Sequence, residues 1–506
     1  MKSRTSQSVI ATSEGDSIDA HVLAHLPSFD SDCEGFLCAL PSVLPAERIL
    51  TRPEDLFAYD CDGQTLDRAR PLAVVFPEST AEVTAIVKLA VKHNVPFVPR
   101  GAGTGLSGGA IAIGSLVVAT ARLNRIETID IPNRQAWVGP GVVNAHLSRA
   151  VASDGLHYAP DPSSQNACTI GGNVAENAGG PHTLKYGVTC NHVLALEVVM
   201  PDGSIAEIGD ACPEFPGYDL VSAFVGSEGT FGIVTRVLVR LVATPEGVRT
   251  LLAIFDSVSD ACRGVTEILS AGIVPAAIEM IDQPTLRAVE QFVHMGLPLD
   301  AAAVLLVEVD GLHDELELQL ERAVGACKAV GAREIRHARD EAERLLLWKA
   351  RKQAFGALGR IAPNYYTHDG VIPRTRLPEV LEAIASIGVE NDIMIANVFH
   401  AGDGNLHPVI LFDERVPGVI ERVRKASDAI LLLVLKMGGT LSGEHGIGIE
   451  KIGYMSRQFT EADLDEMRRL RQTFNPQGLC NPGKVLPAPG RCVETGHGLK
   501  KRPVGL

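Results

Sequence analysis

The sequence predicts an α+β protein of at least two domains, and three observations carry that expectation. At 506 residues the chain is too long for a single hydrophobic core. From Pro71 to about Thr244, short strand-like runs alternate with helical patterns and carry dense glycine clusters. From about residue 250 the texture changes. Strand-like LLAIFDS (251–257), PAAIEMID (275–282) and AAAVLLVEVDG (301–311) alternate with longer amphipathic patterns at about 313–330 and 340–359. That is the pattern of a second α+β domain.

In chain order, residues 1–35 read as a mobile extension. Its opening, MKSRTSQSVIATSEGDSIDAH, lacks the apolar core of a secretory signal. LAVVFP (72–77), VPFVPR (95–100) and SLVVAT (115–120) read as strands, and TAEVTAIVKLAVKHN (80–94) as a helix. HVLALEVVMPDGSIAEIG (192–209) reads as two strands around a Pro-Asp-Gly turn, followed by a strand in GIVTRVLVRLVAT (232–244). After residue 455 a charged helix, EADLDEMRRLRQTF, leads to NPQGLCNPGKVLP. The expected segments are 36–245, 246–455 and a C-terminal 456–486, with a disordered tail over 487–506.

Composition narrows the class. The chain is 46% hydrophobic and 21% charged, with a formal charge of −15, which argues against nucleic acid as a partner. Ten cysteines at irregular spacing offer neither a disulfide framework nor iron–sulfur ligands, so reduced thiols in a cytoplasmic protein are expected. The apolar run AILLLVL (429–435) is far short of a membrane span.

Three glycine-rich segments point to a ligand. PRGAGTGLSGGAI (99–111) follows a strand and places five glycines in nine residues, so that successive N–H groups can line a phosphate. No Lys-Ser/Thr follows, and no helix starts inside it, which excludes a Walker loop and a dinucleotide fingerprint. PDPSSQNACTIGGNVAENAGGPHTLKYGVT (160–189) and GSEGTFGIVT (226–235) are the others. A tight loop explains one such segment; three in one domain suit an extended, phosphate-bearing ligand.

These three segments, with NPGK at 481–484, resemble the FAD-binding proteins of the vanillyl-alcohol-oxidase (PCMH) type, and within them the FAD-linked D-2-hydroxyacid dehydrogenases of the glycolate-oxidase kind. The resemblance covers roughly residues 40 to 486. It implies a two-subdomain FAD-binding domain, a substrate (cap) domain with an antiparallel sheet, and a C-terminal helix returning to the FAD domain. It further implies that Pro99, Arg100, Gly101, Ala102, Gly103, Thr104, Gly105, Leu106 and Gly108 cradle the pyrophosphate. Pro160, Asp161, Ser164, Thr169, Ile170, Gly171, Gly172, Asn173, Asn177, Gly179, Gly180 and Tyr186 would follow the flavin ring and ribityl chain. Glu228, Gly229, Gly232, Ile233 and Val234 would meet the adenosine end, with Asn481 and Lys484 returning from the C-terminus. Thr104 stands where relatives with covalent flavin often carry histidine, so non-covalent FAD is expected, and Cys168 reads as a small buried thiol rather than a thioether.

In the second domain, NVFHAGDGNLHPVILFD (397–413) sets His400 and His407 at the two feet of a Gly-Asp-Gly-Asn turn, and GGTLSGEHGIGIEKIG (438–453) sets Glu444 and His445 between glycines. His400, His407 and Glu444 would form a two-imidazole, one-carboxylate metal set with open positions, leaving His445 as a base. The resemblance matches these positions and names zinc as the usual metal, with manganese or iron suiting the same ligands. A metal hydrolase would use such a set too, but there is no HExxH helix and hydrolysis gives no reason for three flavin-type loops. A non-catalytic scaffold subunit would not need the metal set, nor would the ether-lipid synthases of the same superfamily.

The reaction implied is oxidation of a 2-hydroxy acid, with proton removal by His445 and hydride transfer to FAD. The family places its carboxylate-binding arginine at Arg351, in LLLWKARKQAF (345–355), with Asn405 as a second contact; Lys349 and Lys352 read as solvated. Phe355 and Thr367 stand where 2-hydroxyglutarate-oxidising relatives carry polar or basic residues, which favours glycolate or D-lactate over D-2-hydroxyglutarate. With no cluster ligands of its own, the chain needs a separate electron acceptor. The resemblance implies iron–sulfur and second flavin-type subunits at the inner membrane face.

Overall fold

The computed structural model describes residues 17–212 and 216–488. The first domain opens with a four-stranded sheet of β1 (Ile49–Leu50), β2 (Ala73–Val75), β3 (Phe97–Arg100) and β4 (Leu116–Ala119), in the order β1-β2-β4-β3. β2, β4 and β3 are parallel and β1 is antiparallel. Helix α1 (Thr80–Lys92) makes the crossover from β2 to β3. Ser79 caps it by accepting the Glu82 N–H, and Val83, Ile86, Val87 and Ala90 bury one face on the sheet. β3 ends at Arg100, so the first glycine loop leaves the C-terminal end of a parallel strand, where open α/β sheets bind ligands.

The second half of this domain is antiparallel throughout. It comprises β5 (Ile126–Asp130), β6 (Gln135–Val138), β7 (Val193–Val199), β8 (Ile205–Gly209) and β9 (Ile233–Arg240), in the order β5-β6-β9-β7-β8. Helices still interrupt this half, at Asn144–Val151, Ile170–Glu176 and Leu220–Phe224, but they connect strands of an antiparallel sheet instead of making crossovers between parallel neighbours. The long second glycine segment contains a helix that its composition did not announce, α2 (Ile170–Glu176). Thr169 Oγ1 caps it at 3.3 Å from the Gly172 N–H, and Asn177 ends it in the left-handed region at φ 54°.

The second domain is one antiparallel sheet with helices on both faces. Its elements are β10 (Gly247–Phe255), α3 (Val258–Ser270), β11 (Ala277–Asp282), α4 (Gln283–Val293), β12 (Ala303–Gly311), α5 (His313–Ala329), β13 (Glu334–His337), α6 (Glu341–Lys352), β14 (Asn364–Thr367), β15 (Gly370–Val371), α7 (Leu377–Glu390), β16 (Met394–His400), β17 (Asn405–Leu406), β18 (Pro408–Phe412) and α8 (Val419–Lys436). The strand order is β13-β10-β12-β11-β16-β17-β15, with β18 pairing β16 and carrying β14. Alternation sorts the side chains. Leu251, Ala253 and Phe255 of β10 join α3, α5, α7 and α8, whereas Leu252 and Ile254 join α4 and α6. The helix expected over 340–359 breaks at Gln353 into α6 and a short Ala354–Leu358 helix.

The chain then returns to the first domain. Helix α9 (Glu461–Phe474) starts with a Thr460–Asp463 capping box, and Phe474 stacks on Phe231 at 4.6 Å. The backbone at 479–481 extends the edge at β3: the Phe97 N–H donates to Leu479 at 2.9 Å and the Asn481 N–H to Phe97 at 2.8 Å. The chain start differs from expectation. Residues 17–35 are held rather than loose: Ser17 bridges Arg68, the Asp32 N–H donates to His93, and Asp32 caps the Cys33–Ala39 helix that buries Phe36. Of the expected C-terminal tail, residues 489–506 lie outside the described residues. No helix among the described residues is long and apolar enough to cross a membrane.

A polar seam joins the domains beside the site. His182 Nδ1 lies 2.9 Å from Asp161 and Nε2 lies 3.3 Å from Glu308 on β12, while Lys185 and Tyr186 bond to Asp310. Burial alone would pull the His182 pKa down, but Asp161 and Glu308 outweigh it and hold it up at about 10. The seam's contribution should therefore be fully present below the ordinary imidazole value of 6.5 and fade as pH rises toward about 10. His182→Gln should flatten that part of the curve of unfolding midpoint against pH.

Candidate active site

A cavity of about 530 Å³ runs between the two domains. One end is walled by Pro99, Arg100, Gly101, Ala102, Gly103, Thr104, Gly105 and Leu106; the middle by Ser164, Cys168, Thr169, Gly171, Gly172 and Asn173, with Glu228, Gly229, Gly232, Ile233 and Val234 opposite. Lys352, Phe355, Tyr365, His407, Glu444 and His445 of the second domain complete the wall. Two glycines of the first loop are obligatory. A Cβ on Gly101 would lie 2.6 Å from Thr169 Oγ1, and Gly103 has φ 69° with the Arg100 guanidinium 2.2 Å from its Cβ position.

Several residues expected to touch a ligand stand behind the cavity wall instead. Gly108 packs on Ile449, Ile170 is in the core, and Asn177 accepts from the Cys190 N–H. The Pro160 carbonyl accepts from Asn144, Gly180 lies against the Asp161 backbone, and Asp161 and Tyr186 belong to the polar seam. Gly179 makes room for Glu444, whose Oε2 would be 2.9 Å from a Cβ there. Asn481 Nδ2 donates to the carbonyls of Gly109 and Glu228, and Lys484 Nζ to that of Ile111; both brace the loops from behind. Cys168 does face the cavity, with its thiol pKa raised by burial and Asn173 Nδ2 at 3.4 Å, the setting of an inert thiol. Lys352, read as solvated, is part of the cavity wall, 3.6 Å from Asp161.

His400, His407 and Glu444 converge. Both Nε2 atoms lie 3.2 Å from Glu444 Oε1. The opposite nitrogens are occupied: His400 Nδ1 is 2.7 Å from Glu279 Oε1, and His407 Nδ1 is 3.2 Å from the His368 carbonyl. Nδ1–H donation to those acceptors leaves each Nε2 lone pair directed at the shared point, the arrangement in which histidines ligate metals. Against the pull of burial, Glu279 and Glu444 hold His400 well above the ordinary imidazole range, so the spot favours positive charge. Strand register produces this. Glu279 on β11 is the direct partner of His400 on β16, and the β16–β17 turn returns the chain so that His407 follows.

The fourth group arrives on a loop held by one carboxylate. Asp369 accepts from Ser442 Oγ at 2.6 Å and from the N–H groups of Gly443, Glu444 and His445 at 3.0, 3.1 and 2.8 Å. Burial favours the neutral acid there, but His445 and Lys451 hold Asp369 down at about 2. Two residues further along, Glu228 of the first domain accepts the N–H of Ile447 at 2.6 Å and of Gly448 at 2.7 Å. His445 stacks on His407 with centroids 4.8 Å apart, and burial, opposed by Asp369, pushes it down to about 4. It is therefore a neutral imidazole at pH 7, able to accept a proton.

Arg351 is buried behind this cluster rather than in the cavity wall. Its Nε donates to Glu279 Oε2 at 2.6 Å, while Nη1 and Nη2 are buried without partners. Asn405 is buried near Gly443, its Oδ1 also without a partner. Sequence reasoning missed Glu279, Asp369, Asp62 and Glu176. The first two carried a usable signal, a carboxylate in the middle of an apolar strand pattern in PAAIEMID and the aspartate of HDG in THDGVIP.

Two family models match the chain: an FAD binding domain over residues 71–209 and the C-terminal domain of FAD linked oxidases over residues 244–485. The chain is 47% identical to the glycolate oxidase subunit GlcD of Escherichia coli K12, over 92% of this chain and 94% of that protein. It is 32% identical to a D-lactate dehydrogenase of Anaerostipes hadrus, over 83% and 90%. Among solved structures, p-cresol methylhydroxylase superposes with a TM-score of 0.77 at 15% identity, over 89% of this chain and 96% of that one, a likeness of fold.

Replacing Asp369 by Ala would leave the Ser442 hydroxyl and the Glu444 and His445 N–H groups without their carboxylate acceptor and remove the counter-charge of the buried Lys451 ammonium. A loss of about 3–5 kcal/mol is expected, read from denaturant unfolding, with the 442–446 loop becoming the first site of proteolytic cleavage.

Proposed function

This chain belongs to the FAD-linked oxidases, and we propose that it oxidises a small 2-hydroxy acid, glycolate or D-lactate, to the 2-oxo acid. The observation that carries the reading is the single cavity that leads from the glycine cradle to His407, Glu444 and His445. The names of the relatives, a glycolate oxidase subunit and a D-lactate dehydrogenase, point to the same substrate class.

The residues fit both groups the reaction needs. In the cradle, Arg100 has a buried Nη1 without a partner beside glycines that admit close approach, which suits the FAD pyrophosphate. FAD, when bound, supplies the acceptor for the hydride leaving C2 of the substrate. His400, His407 and Glu444 would hold a divalent metal, and the oriented Nε2 atoms and the preference for positive charge support that assignment. Such an ion supplies a Lewis acid for the substrate hydroxyl. Zinc suits this donor set, as manganese and iron do.

The chain's own residues do the rest. Arg351 is fixed through Nε behind the cavity wall with two nitrogens lacking partners, and it would bind the substrate carboxylate only if the wall opens to admit it. His445, neutral and at the cavity wall, accepts the hydroxyl proton on its ring. Phe355 fills part of the wall where a second carboxylate would need a polar partner, which favours a monocarboxylate, and Lys352, the wall's nearby cation, is shared with Asp161 at 3.6 Å. Electrons must leave the reduced flavin for a separate acceptor, and iron–sulfur and flavin-type partner subunits are the proposed ones, in keeping with the relative's being named a subunit.

The test is anaerobic mixing of the flavin-loaded protein with glycolate, D-lactate, L-lactate and D-2-hydroxyglutarate. Bleaching of the flavin absorbance by a small D-acid or glycolate, lost on chelation and restored by metal, is expected. Flavin that stays oxidised with every acid would contradict the substrate class. Arg351→Met should weaken glycolate binding by roughly 10- to 100-fold in KM, the worth of a charge-assisted hydrogen bond. The acid limb of kcat/KM should lie well below 6.5, because His445 loses its acceptor form only near pH 4.

A further inference from the structure

We propose that Glu176 is held as a neutral carboxylic acid that donates a hydrogen bond to the bound FAD. The inference rests on the FAD assignment. Glu176 closes α2 and lines the cavity. Its Oε1 is 3.9 Å from the Cβ position of Gly105, in the glycine cradle, and 3.2 Å from that of Gly109; its Oε2 is buried without a hydrogen-bond partner.

Its neighbour settles where the negative charge sits. Both oxygens of Glu228 accept backbone N–H groups at 2.6 and 2.7 Å, which marks Glu228 as the anion of the pair. Glu176 Oε2 and Glu228 Oε1 crowd one point, 2.5 and 2.8 Å from where a Cβ on Gly446 would stand. Asp62 and Asp369 add like charge, and the opposing cation is Lys451, whose ammonium is engaged by the Gly446 carbonyl at 3.0 Å and Asp369 at 3.6 Å. A second anion here would also face a doubly charged pyrophosphate. Burial first, then Glu228 and Asp62, push the Glu176 carboxyl well above its ordinary range. The neutral acid has one O–H donor; Oε2 is turned to Glu228, so the donor to FAD is the O–H on Oε1, the oxygen turned to Gly105 and Gly109, and FAD offers phosphate and ribityl acceptors.

Proton and cofactor are then linked. Losing the Glu176 proton replaces a donor by a repelling charge, so FAD should be held less tightly as pH rises. The flavin-loaded protein is diluted between about pH 6 and pH 9 and the dissociation constant read from free-flavin fluorescence. The wild type is expected to weaken by up to about tenfold per pH unit at the alkaline end. Glu176→Gln, which cannot titrate, should lose that slope, and Asp62→Asn should keep it. If the Gln variant does not fold, Glu176→Met provides the same comparison of slopes. A flat wild-type profile, an unchanged slope in the non-titrating variant, or a slope lost in Asp62→Asn instead would overturn the proposal. A protein with no flavin at any pH would overturn it together with the cofactor assignment.

Discussion

The site depends on one buried carboxylate, Glu279. It has no solvent exposure, and it is bonded by Arg351 Nε through one oxygen and His400 Nδ1 through the other. Leaving such a charge unpaired in the interior costs several kcal/mol, so both partners must arrive together. Burial favours the neutral acid, yet Arg351 and His400 hold Glu279 below the ordinary range. This requirement fixes the β11–β16 register and the docking of α6, and it orients His400 Nε2 and the free nitrogens of Arg351. Removing either partner would undo more than one contact.

The cavity itself is a product of two domains, and buried charge adds to the apolar contacts between them, in which Ile449 joins the Ile111–Ile113 cluster of the first domain and Leu184 packs on the core of the second. Glu228 reaches from the first domain to the backbone that follows His445, and the Asp161–His182–Glu308 chain ties the opposite side. Hydrogen bonds of this kind are directional, so they set the position of Glu444 and His445 against the glycine cradle more closely than apolar packing would. The 442–448 loop is thus held from both domains, by Asp369 and by Glu228.

Much of this was legible in the sequence, for a physical reason. Glycine clusters and paired histidines are local signals: the residues that make the first loop, and those that make the β16–β17 turn, are contiguous. The α+β class was likewise legible from strand-like runs such as AAAVLLVEVDG set between helical patterns, whereas the antiparallel pairing of the second sheet was expected from the family resemblance. Partnerships across long separations were not. Glu279 and His400 are 121 residues apart, and nothing in PAAIEMID says which residue its glutamate will face. Asp161 and Tyr186 lie within a ligand-binding motif yet serve the domain seam, because a motif fixes backbone course and not the target of every side chain. The hold on residues 17–35 was missed because its partners are distant in sequence: Ser17 meets Arg68, and Asp32 meets His93 through both backbone and side chain.

The most direct test of this account is the metal and flavin content of Glu279→Gln beside the wild type. The account predicts one divalent ion and one FAD per wild-type chain. In the variant it predicts retained FAD with metal affinity weakened by roughly 10- to 100-fold, the usual effect of losing a carboxylate behind a histidine ligand. A variant that keeps its metal as tightly as the wild type, or a wild-type protein that takes up none, would contradict the central role given to Glu279.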